Sequence, residues 1–114
     1  MKIRTVYFKS KDIQALCDFW SNVLEIKPHK NFEDWKEILC GTVRLGFLKR
    51  DTDTIYSNCV PVFEFEDHAL DSYIKRALAY GAELLIDGRV DPKLLSAVMR
   101  DPFGNEFELS KFHD

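Results

Sequence analysis

The stretch Asp101-Pro102-Phe103-Gly104-Asn105-Glu106-Phe107-Glu108-Leu109 joins a turn to a strand. Asp, Pro and Gly take the first, second and fourth positions of a turn, where Asp caps the backbone, Pro fixes φ and Gly accepts a positive φ. These residue types predict a hairpin. Alternation then places Glu106 and Glu108 on one face of the following strand. Phe107 and Leu109 share the other face, so we expect a strand with one buried apolar side and one acidic side.

Length, composition and charge narrow the class of protein. With 114 residues and 46% hydrophobic content, the chain can form one domain, 1–114, with a substantial core. Its 16 basic and 19 acidic residues are dispersed, so we do not expect a nucleic-acid partner. No apolar run is long enough for a bilayer and no signal-peptide core is present, which predicts a cytoplasmic protein without membrane contact. The three cysteines, Cys17, Cys40 and Cys59, are too widely spaced for a CxxC site and predict free thiols.

A weak internal repeat divides the chain into two halves. Phe8 and Asp12 recur as Phe63 and Asp67 at a shift of 55 residues. At a shift of 54 residues, the apolar positions of a first helical pattern match those of a second. The first set is Leu16, Phe19, Trp20, Val23 and Leu24, and the matching set is Leu70, Tyr73, Ile74, Ala77 and Leu78. A one-residue difference in the strand-to-helix turn explains the change of shift.

Each half has the same predicted anatomy. In the first, a strand at 3–9 precedes a helix capped by Asp12, which Pro28 prevents from running further, and strands follow at about 35–40 and 42–49. In the second, a strand at 59–66 precedes a helix at 68–80 stopped by Gly81, with strands near 83–87, 94–100 and 106–111. The modules span about 1–50 and 58–114, with a linker at about 51–57. The predicted fold class is α+β, built as two βαβββ modules.

These features resemble the vicinal oxygen chelate superfamily, which includes glyoxalase I, extradiol dioxygenases, and fosfomycin- and bleomycin-resistance proteins. The resemblance rests on the paired modules, the helical segment from Asp12 to Leu24 with its Phe19-Trp20 pair, and the Asp101–Leu109 stretch. It implies two paired modules that form a curled mixed sheet around a cleft. It also implies a homodimer, with the cleft either within one chain or shared between two.

The resemblance also provides a test for a metal site. Metal-dependent members use four ligands, usually two His and two Glu, one from each of four strands, because an ion that polarises vicinal oxygens needs several hard donors. The last strand offers Glu108. The other three positions fall at Thr5, among Leu45, Gly46 and Phe47 beside the cation Arg44, and at Val60 or Pro61. None of these is a donor of the required type, so we predict no metal and no cofactor, and metal-dependent catalysis is disfavoured. The histidines, His29, His68 and His113, lie outside these positions.

Glu108 therefore has two readings. As an ordinary strand-face carboxylate, it meets water or pairs with a nearby cation. On a cleft wall, it could instead be a polar anchor or a general base. The strand residues that could line such a cleft are Thr5, Tyr7, Trp35, Phe47, Val60 and Val62. Two charged residues, Glu108 and Arg44, are candidate polar anchors for the ligand. Core packing is the alternative role for the apolar members of this set.

The sequence favours a protein similar to the glyoxalase and bleomycin-resistance group that binds a small organic ligand in a metal-free cleft. One alternative is a metal-dependent lyase, isomerase or dioxygenase of the same superfamily, with a rearranged site built from Glu108, Glu64, Glu66 or an acid from a second subunit. Another is a protein-interaction module that uses the sheet or dimer surface. The ligand's identity, and any metal-independent reaction, are not specified by these residues.

Overall fold

A computed structural model describes residues 3–51, 60–66, 68–90 and 96–111. The chain divides into two compact units, Met1–Tyr56 and Ser57–Asp114, here called unit 1 and unit 2. Each unit has a four-stranded sheet with both parallel and antiparallel pairs. This arrangement confirms the predicted α+β class and the βαβββ modules. The predicted linker at about 51–57, apart from residue 51, lies outside the described residues, as does Cys59.

Unit 1 begins with strand β1, Thr5–Ser10, and helix α1, Ile13–Leu24. Three strands follow, which are β2 at Lys30–Asn31, β3 at Trp35–Cys40 and β4 at Val43–Lys49. Their order across the sheet is β1-β4-β3-β2, with β1 parallel to β4 and the other pairs antiparallel. The sequence pattern did not locate β2, because two residues are too few to show alternation.

Unit 2 repeats this plan. Strand β5, Val62–Glu64, precedes helix α2, Leu70–Ala79. Strand β6, Glu83–Asp87, is followed by a single 3-10 turn at Gly88–Val90, and then by β7, Ser96–Arg100, and β8, Glu106–Ser110. The order is β5-β8-β7-β6, with β5 parallel to β8. Of the predicted strand at 59–66, the described part forms regular structure only at Val62–Glu64.

Helix α1 has sequence-specified ends. Asp12 accepts a hydrogen bond at 3.0 Å from the backbone N–H of Ala15, as a capping carboxylate should. The helix ends before Pro28, where Glu25 adopts a left-handed conformation with φ of 57° and its N–H bonds to the carbonyl of Ser21. A left-handed residue at this position is usually Gly, and here Glu takes the conformation instead.

The internal repeat is visible in the cores of both units. The matched pairs Leu16 and Leu70, and Trp20 and Ile74, are almost fully buried. Val23 and its counterpart Ala77 are also fully buried. Both helices therefore turn the same three positions inward, which explains why the repeat is clearest in the apolar residues.

The Asp101–Leu109 stretch forms the predicted hairpin. The buried Asp101 Oδ1 accepts backbone N–H bonds from Phe103 and Asn105, both at 2.9 Å. Its Oδ2 accepts a bond at 2.9 Å from the side-chain amide of Asn105. Gly104 has a φ of 91°, as the turn requires. Phe107 and Leu109 in β8 are fully buried, whereas Glu106 is exposed.

Two smaller expectations concern cysteines and membranes. Cys17 is buried and Cys40 half-buried, and both are free thiols whose pKa is raised by burial. Neither α1 nor α2, the helices of the described chain, is long and apolar enough to cross a bilayer.

Candidate functional site

The strand register of unit 1 assigns each side chain to one of two sheet faces. Phe8 stacks on Trp20 of α1 with ring centroids 5.8 Å apart, so the parity of Phe8 faces the helix. Residues of the opposite parity form what we call the α1-distal face. Cross-strand partners share a face. The register of β1, β4 and β3 therefore places nine residues on it: Thr5, Tyr7, Lys9, Trp35, Glu37, Leu39, Arg44, Gly46 and Leu48.

Glu37 is at the centre of this face, with only 3% of its side chain exposed. Its Oε2 accepts a hydrogen bond from Trp35 Nε1 at 3.0 Å and lies 3.4 Å from Lys30 Nζ. Its Oε1 lies 3.0 Å from Arg44 Nε and 3.7 Å from His29 Nε2. We call these five residues the Glu37 cluster. A carboxylate this well buried needs such partners to remain ionised.

Two opposing effects act on the pKa of Glu37. Burial disfavours the charged form and acts to raise the pKa. The hydrogen bond from the Trp35 indole, the charge and hydrogen bond of Lys30, and the charge of His29 all lower it. The partners outweigh burial, and the pKa of Glu37 lies below its ordinary value. Glu37 is therefore a carboxylate, not a neutral acid, at physiological pH.

An aromatic pair lies beside the cluster. The rings of Tyr7 and Trp35 meet edge to face, with centroids 5.7 Å apart. The Trp35 ring lies over Gly46, where an added Cβ would be 2.5 Å from Cζ2 and closer still to Cη2. A side chain at position 46 would thus displace the indole. Tyr7 is in β1, an edge strand of the sheet, and remains 48% exposed, so its ring is accessible to a ligand.

Arg44 has unused hydrogen-bonding capacity. Its Nε is buried and close to Glu37 Oε1, but it is not aligned to donate a hydrogen bond in the described part of the chain. Its guanidinium makes no other ion pair with a described residue, and 27% of the side chain is exposed. A guanidinium has five N–H donors, so Arg44 can still donate to another anion.

Three of the predicted residues belong to unit 2. Glu108 is half-buried in β8, with Val62 and Val98 as its cross-strand partners. It shares their face because Phe107 and Leu109, of opposite parity, are in the core. Val62 is exposed, and Val60 lies before β5 with partial exposure. The register also places Glu64, Arg100 and Glu106 on this face, so Glu108 lies on a face with both apolar and charged side chains.

One predicted ligand-binding residue has a different position. Phe47 is the cross-strand partner of Phe8 and is fully buried on the α1 side of the sheet. It therefore belongs to the core. Phe47 was predicted as an aromatic strand residue, and strand parity alone could not show which face of β4 packs against α1. Of the other candidates in unit 1, Thr5 and Arg44 are direct cross-strand partners, and Tyr7 contacts Trp35.

Sequence reasoning missed Glu37 itself. The available signal was parity, because Glu37 lies two residues after Trp35, which was already a candidate. The charge pattern was a second signal, since Lys30 and Arg44 flank this strand on both sides in the sequence. Neither shows that the carboxylate is enclosed, which depends on the pairing of β2 with β3.

The donor set does not suit the divalent metal of the superfamily. No group of three or more His, Cys, Asp or Glu side chains in the described residues could hold an ion. Thr5 and Arg44 are neighbours on the α1-distal face, and a guanidinium opposes cation binding. The carboxylate of Glu37 is already surrounded by cations. No metal-dependent step is therefore assigned to these residues.

Comparisons with known proteins agree with this architecture. The family model described as a glyoxalase-like domain matches residues 5–110. The chain belongs to the glyoxalase-like domain family. No curated protein sequence matches it significantly. The fold and the paired modules place this glyoxalase-like protein in the vicinal oxygen chelate superfamily, as the sequence predicted.

Solved structures share the fold of this glyoxalase-like protein at low identity. A glyoxalase/bleomycin resistance protein/dioxygenase family enzyme from Burkholderia phytofirmans is 20% identical, with a TM-score of 0.80 and coverage of 94% of this chain and 95% of that one. The fosfomycin resistance protein FosX from Mesorhizobium loti is 17% identical, with a TM-score of 0.73 and coverage of 99% and 91%. FosX from Listeria monocytogenes is 20% identical, with a TM-score of 0.76 and coverage of 100% and 91%.

Proposed function

We propose that this glyoxalase-like protein binds a small organic ligand on the α1-distal face of unit 1, without a catalytic metal. The observation that carries the proposal is the exposed Tyr7 ring beside Trp35 and the partly exposed Arg44. A binding site typically combines apolar contact area with a few fixed polar groups. This face has both.

The polar groups of this face are held before a ligand arrives. Trp35 is fixed by its hydrogen bond to Glu37 and by its position over Gly46. Arg44 is held beside the same carboxylate. Groups that are already ordered lose less conformational entropy on binding, which favours affinity. The function is therefore recognition or sequestration of the ligand.

The structural relatives named as enzymes share the fold with this protein. Fold alone does not fix chemistry, and the residues described here contain no donor set for a metal. Glu108 in unit 2 is kept as a candidate polar anchor on its own sheet face. Val60 and Val62 are kept with Glu108 as candidate ligand-binding residues of unit 2.

A fragment screen followed by nuclear magnetic resonance tests this function. We expect aromatic fragments to shift the indole N–H signal of Trp35 and the amide signals of Tyr7 and Arg44. Tyr7→Ala should weaken binding about tenfold, because one aromatic contact contributes about 0.5–1.5 kcal/mol beyond its buried area. Tyr80→Ala is the matched control, since Tyr80 is 49% exposed on unit 2 and Tyr7 is 48% exposed. Equal weakening by both variants would contradict the assignment.

We also propose that the protein is cytoplasmic, and that it is a homodimer, as the superfamily resemblance implies. Sedimentation equilibrium should give about twice the 13.3 kDa mass of the chain. A mass equal to that of one chain at all concentrations would refute the dimer and leave the ligand site of unit 1 unaffected.

A further inference from the structure

We infer that the ligand is a compact aromatic or planar anion, bound with its acidic group at Arg44 and its flat part against Tyr7; this rests on the function proposed above. The Glu37 cluster has more positive than negative charge. Lys30 and Arg44 are cations and Glu37 is the only acid, so the cluster has a net charge of +1 with His29 neutral. A local excess of positive charge attracts anions.

Glu37 does not offset this excess at the protein surface. Its side chain is 3% exposed, whereas those of Lys30 and Arg44 are 42% and 27% exposed. The carboxylate is therefore enclosed and the cations are accessible. A ligand that approaches this face meets positive groups, and a cationic ligand has no free carboxylate to pair with in the cluster.

Arg44 has the geometry that an oxyanion needs. Its planar guanidinium can donate two parallel hydrogen bonds to a carboxylate, phosphate or phosphonate. Its ion pair with Glu37 involves Nε, which leaves the terminal nitrogens available to donate. Arg44 pairs with Thr5 across the strands, and the Thr5 hydroxyl could donate to the same oxyanion.

The distance between the two parts of the site limits the size of the ligand. Tyr7 pairs with Gly46, which is two residues from Arg44 along β4. Two residues of a strand span roughly 6.6 Å. An acidic group and an aromatic ring separated by one or two bonds match this spacing. This spacing therefore favours an aryl acid over a long-chain acid as the ligand.

Benzoate, phenylphosphonate and benzamide are suitable probes, because benzamide keeps the ring of benzoate but lacks the charge. We expect both acids to shift the signals of Arg44, Tyr7 and the Trp35 indole, and benzamide to bind about tenfold or more weakly, as expected for loss of a charge-assisted pair. The preference between the two acids distinguishes a carboxylate ligand from a phosphonate or phosphate ligand.

Arg44→Gln should reduce the affinity for the preferred acid to that for benzamide. Lys49→Gln is the matched control, because Lys49 is an exposed cation of β4 with the parity of Phe47, on the opposite face of the sheet, and it should leave the affinity unchanged. Equal affinity for benzoate and benzamide, with shifts at Tyr7 and Trp35, would overturn the anion preference while supporting a ligand site. Absence of shifts with all three probes and with the fragment screen would overturn both proposals. Equal loss of affinity in the Arg44 and Lys49 variants would mean general charge attraction and overturn the role of Arg44.

Discussion

Gly46→Ala is the substitution that most directly tests how the α1-distal face is built. The added Cβ would lie 2.5 Å from Trp35 Cζ2, about 1 Å inside an ordinary carbon–carbon contact. It would also lie 3.1 Å from the Cβ of Tyr7, which is fixed to the backbone of β1. Gly46 has no positive φ, so the substitution strains no backbone dihedral. The indole of Trp35 is the group that must move.

The cost of that movement can be worked out from the contacts that it breaks. Overpacking a fitted site costs about 1–3 kcal/mol. The displaced indole also loses its hydrogen bond to the Glu37 carboxylate, and bonds to charged groups contribute about 1.5–3 kcal/mol. Replacing Gly with Ala also lowers the conformational entropy of the unfolded chain, which stabilises the folded state by about 0.4–1 kcal/mol. We expect Gly46→Ala to lower the free energy of unfolding by about 2–5 kcal/mol, measured by urea denaturation at pH 7.

A double-mutant cycle with Trp35→Phe provides the control. The Phe ring is shorter than the indole and has no N–H, so Gly46→Ala should cost little in that background. We expect a coupling free energy of about 2 kcal/mol or more between the two positions, because nearly the whole cost of Gly46→Ala disappears in that background. Additive effects would refute the reasoning, because they would mean that the Trp35 ring does not lie over Gly46.

Three further predictions concern charges and the hairpin. The pKa of Glu37 is lowered in the folded state, so the unfolded chain binds this proton at a higher pH than the folded chain does. The free energy of unfolding of the wild type should therefore fall as the pH drops below the ordinary Glu value and through the folded-state pKa. Urea titrations of Glu37→Gln should lack this part of the pH dependence. Asp101→Asn should lower the free energy of unfolding by about 1–3 kcal/mol, because the side-chain amides at positions 101 and 105 would then face each other. The double variant Asp101→Asn with Asn105→Asp should recover part of this free energy. No recovery would contradict the hydrogen bond between the two side chains. Hydrogen bonds from the Arg89 side chain lower the pKa of Asp87 to about 2. Arg89→Gln should therefore raise the pKa of Asp87 toward its ordinary value, measured by nuclear magnetic resonance titration of the carboxyl carbon. An unchanged pKa would count against the ion pair of Asp87 and Arg89.

The fold could be predicted from sequence because its signals are local. The cap Asp12, the turn at Asp101 and the inward positions Leu16 and Leu70 each depend on neighbours within a few residues. The two-residue strand β2 gave no such signal. Its pairing with β3 was therefore invisible in the sequence, although it brings Lys30 opposite Glu37.

The candidate site could be predicted only in part, because it depends on register. Tyr7, Trp35 and Phe47 were predicted as aromatic strand residues that could line a cleft, and strand parity alone could not choose between the two faces. The rings of Tyr7 and Trp35 do meet, whereas the pairing with Phe8 places Phe47 in the core. The enclosure of the Glu37 carboxylate depends on strands β2, β3 and β4 and on His29 before β2. No single segment of sequence contains that information.

Metal dependence of ligand binding tests the central claim most directly. The protein would be dialysed against nickel, zinc, manganese or ferrous iron, assayed for bound metal, and titrated with the preferred aryl acid before and after chelation. We predict no stoichiometric, tightly held ion, an unchanged affinity after chelation, and the same shift of the Trp35 indole signal in both states. An ion held at one per chain, with ligand binding lost on its removal, would contradict the account.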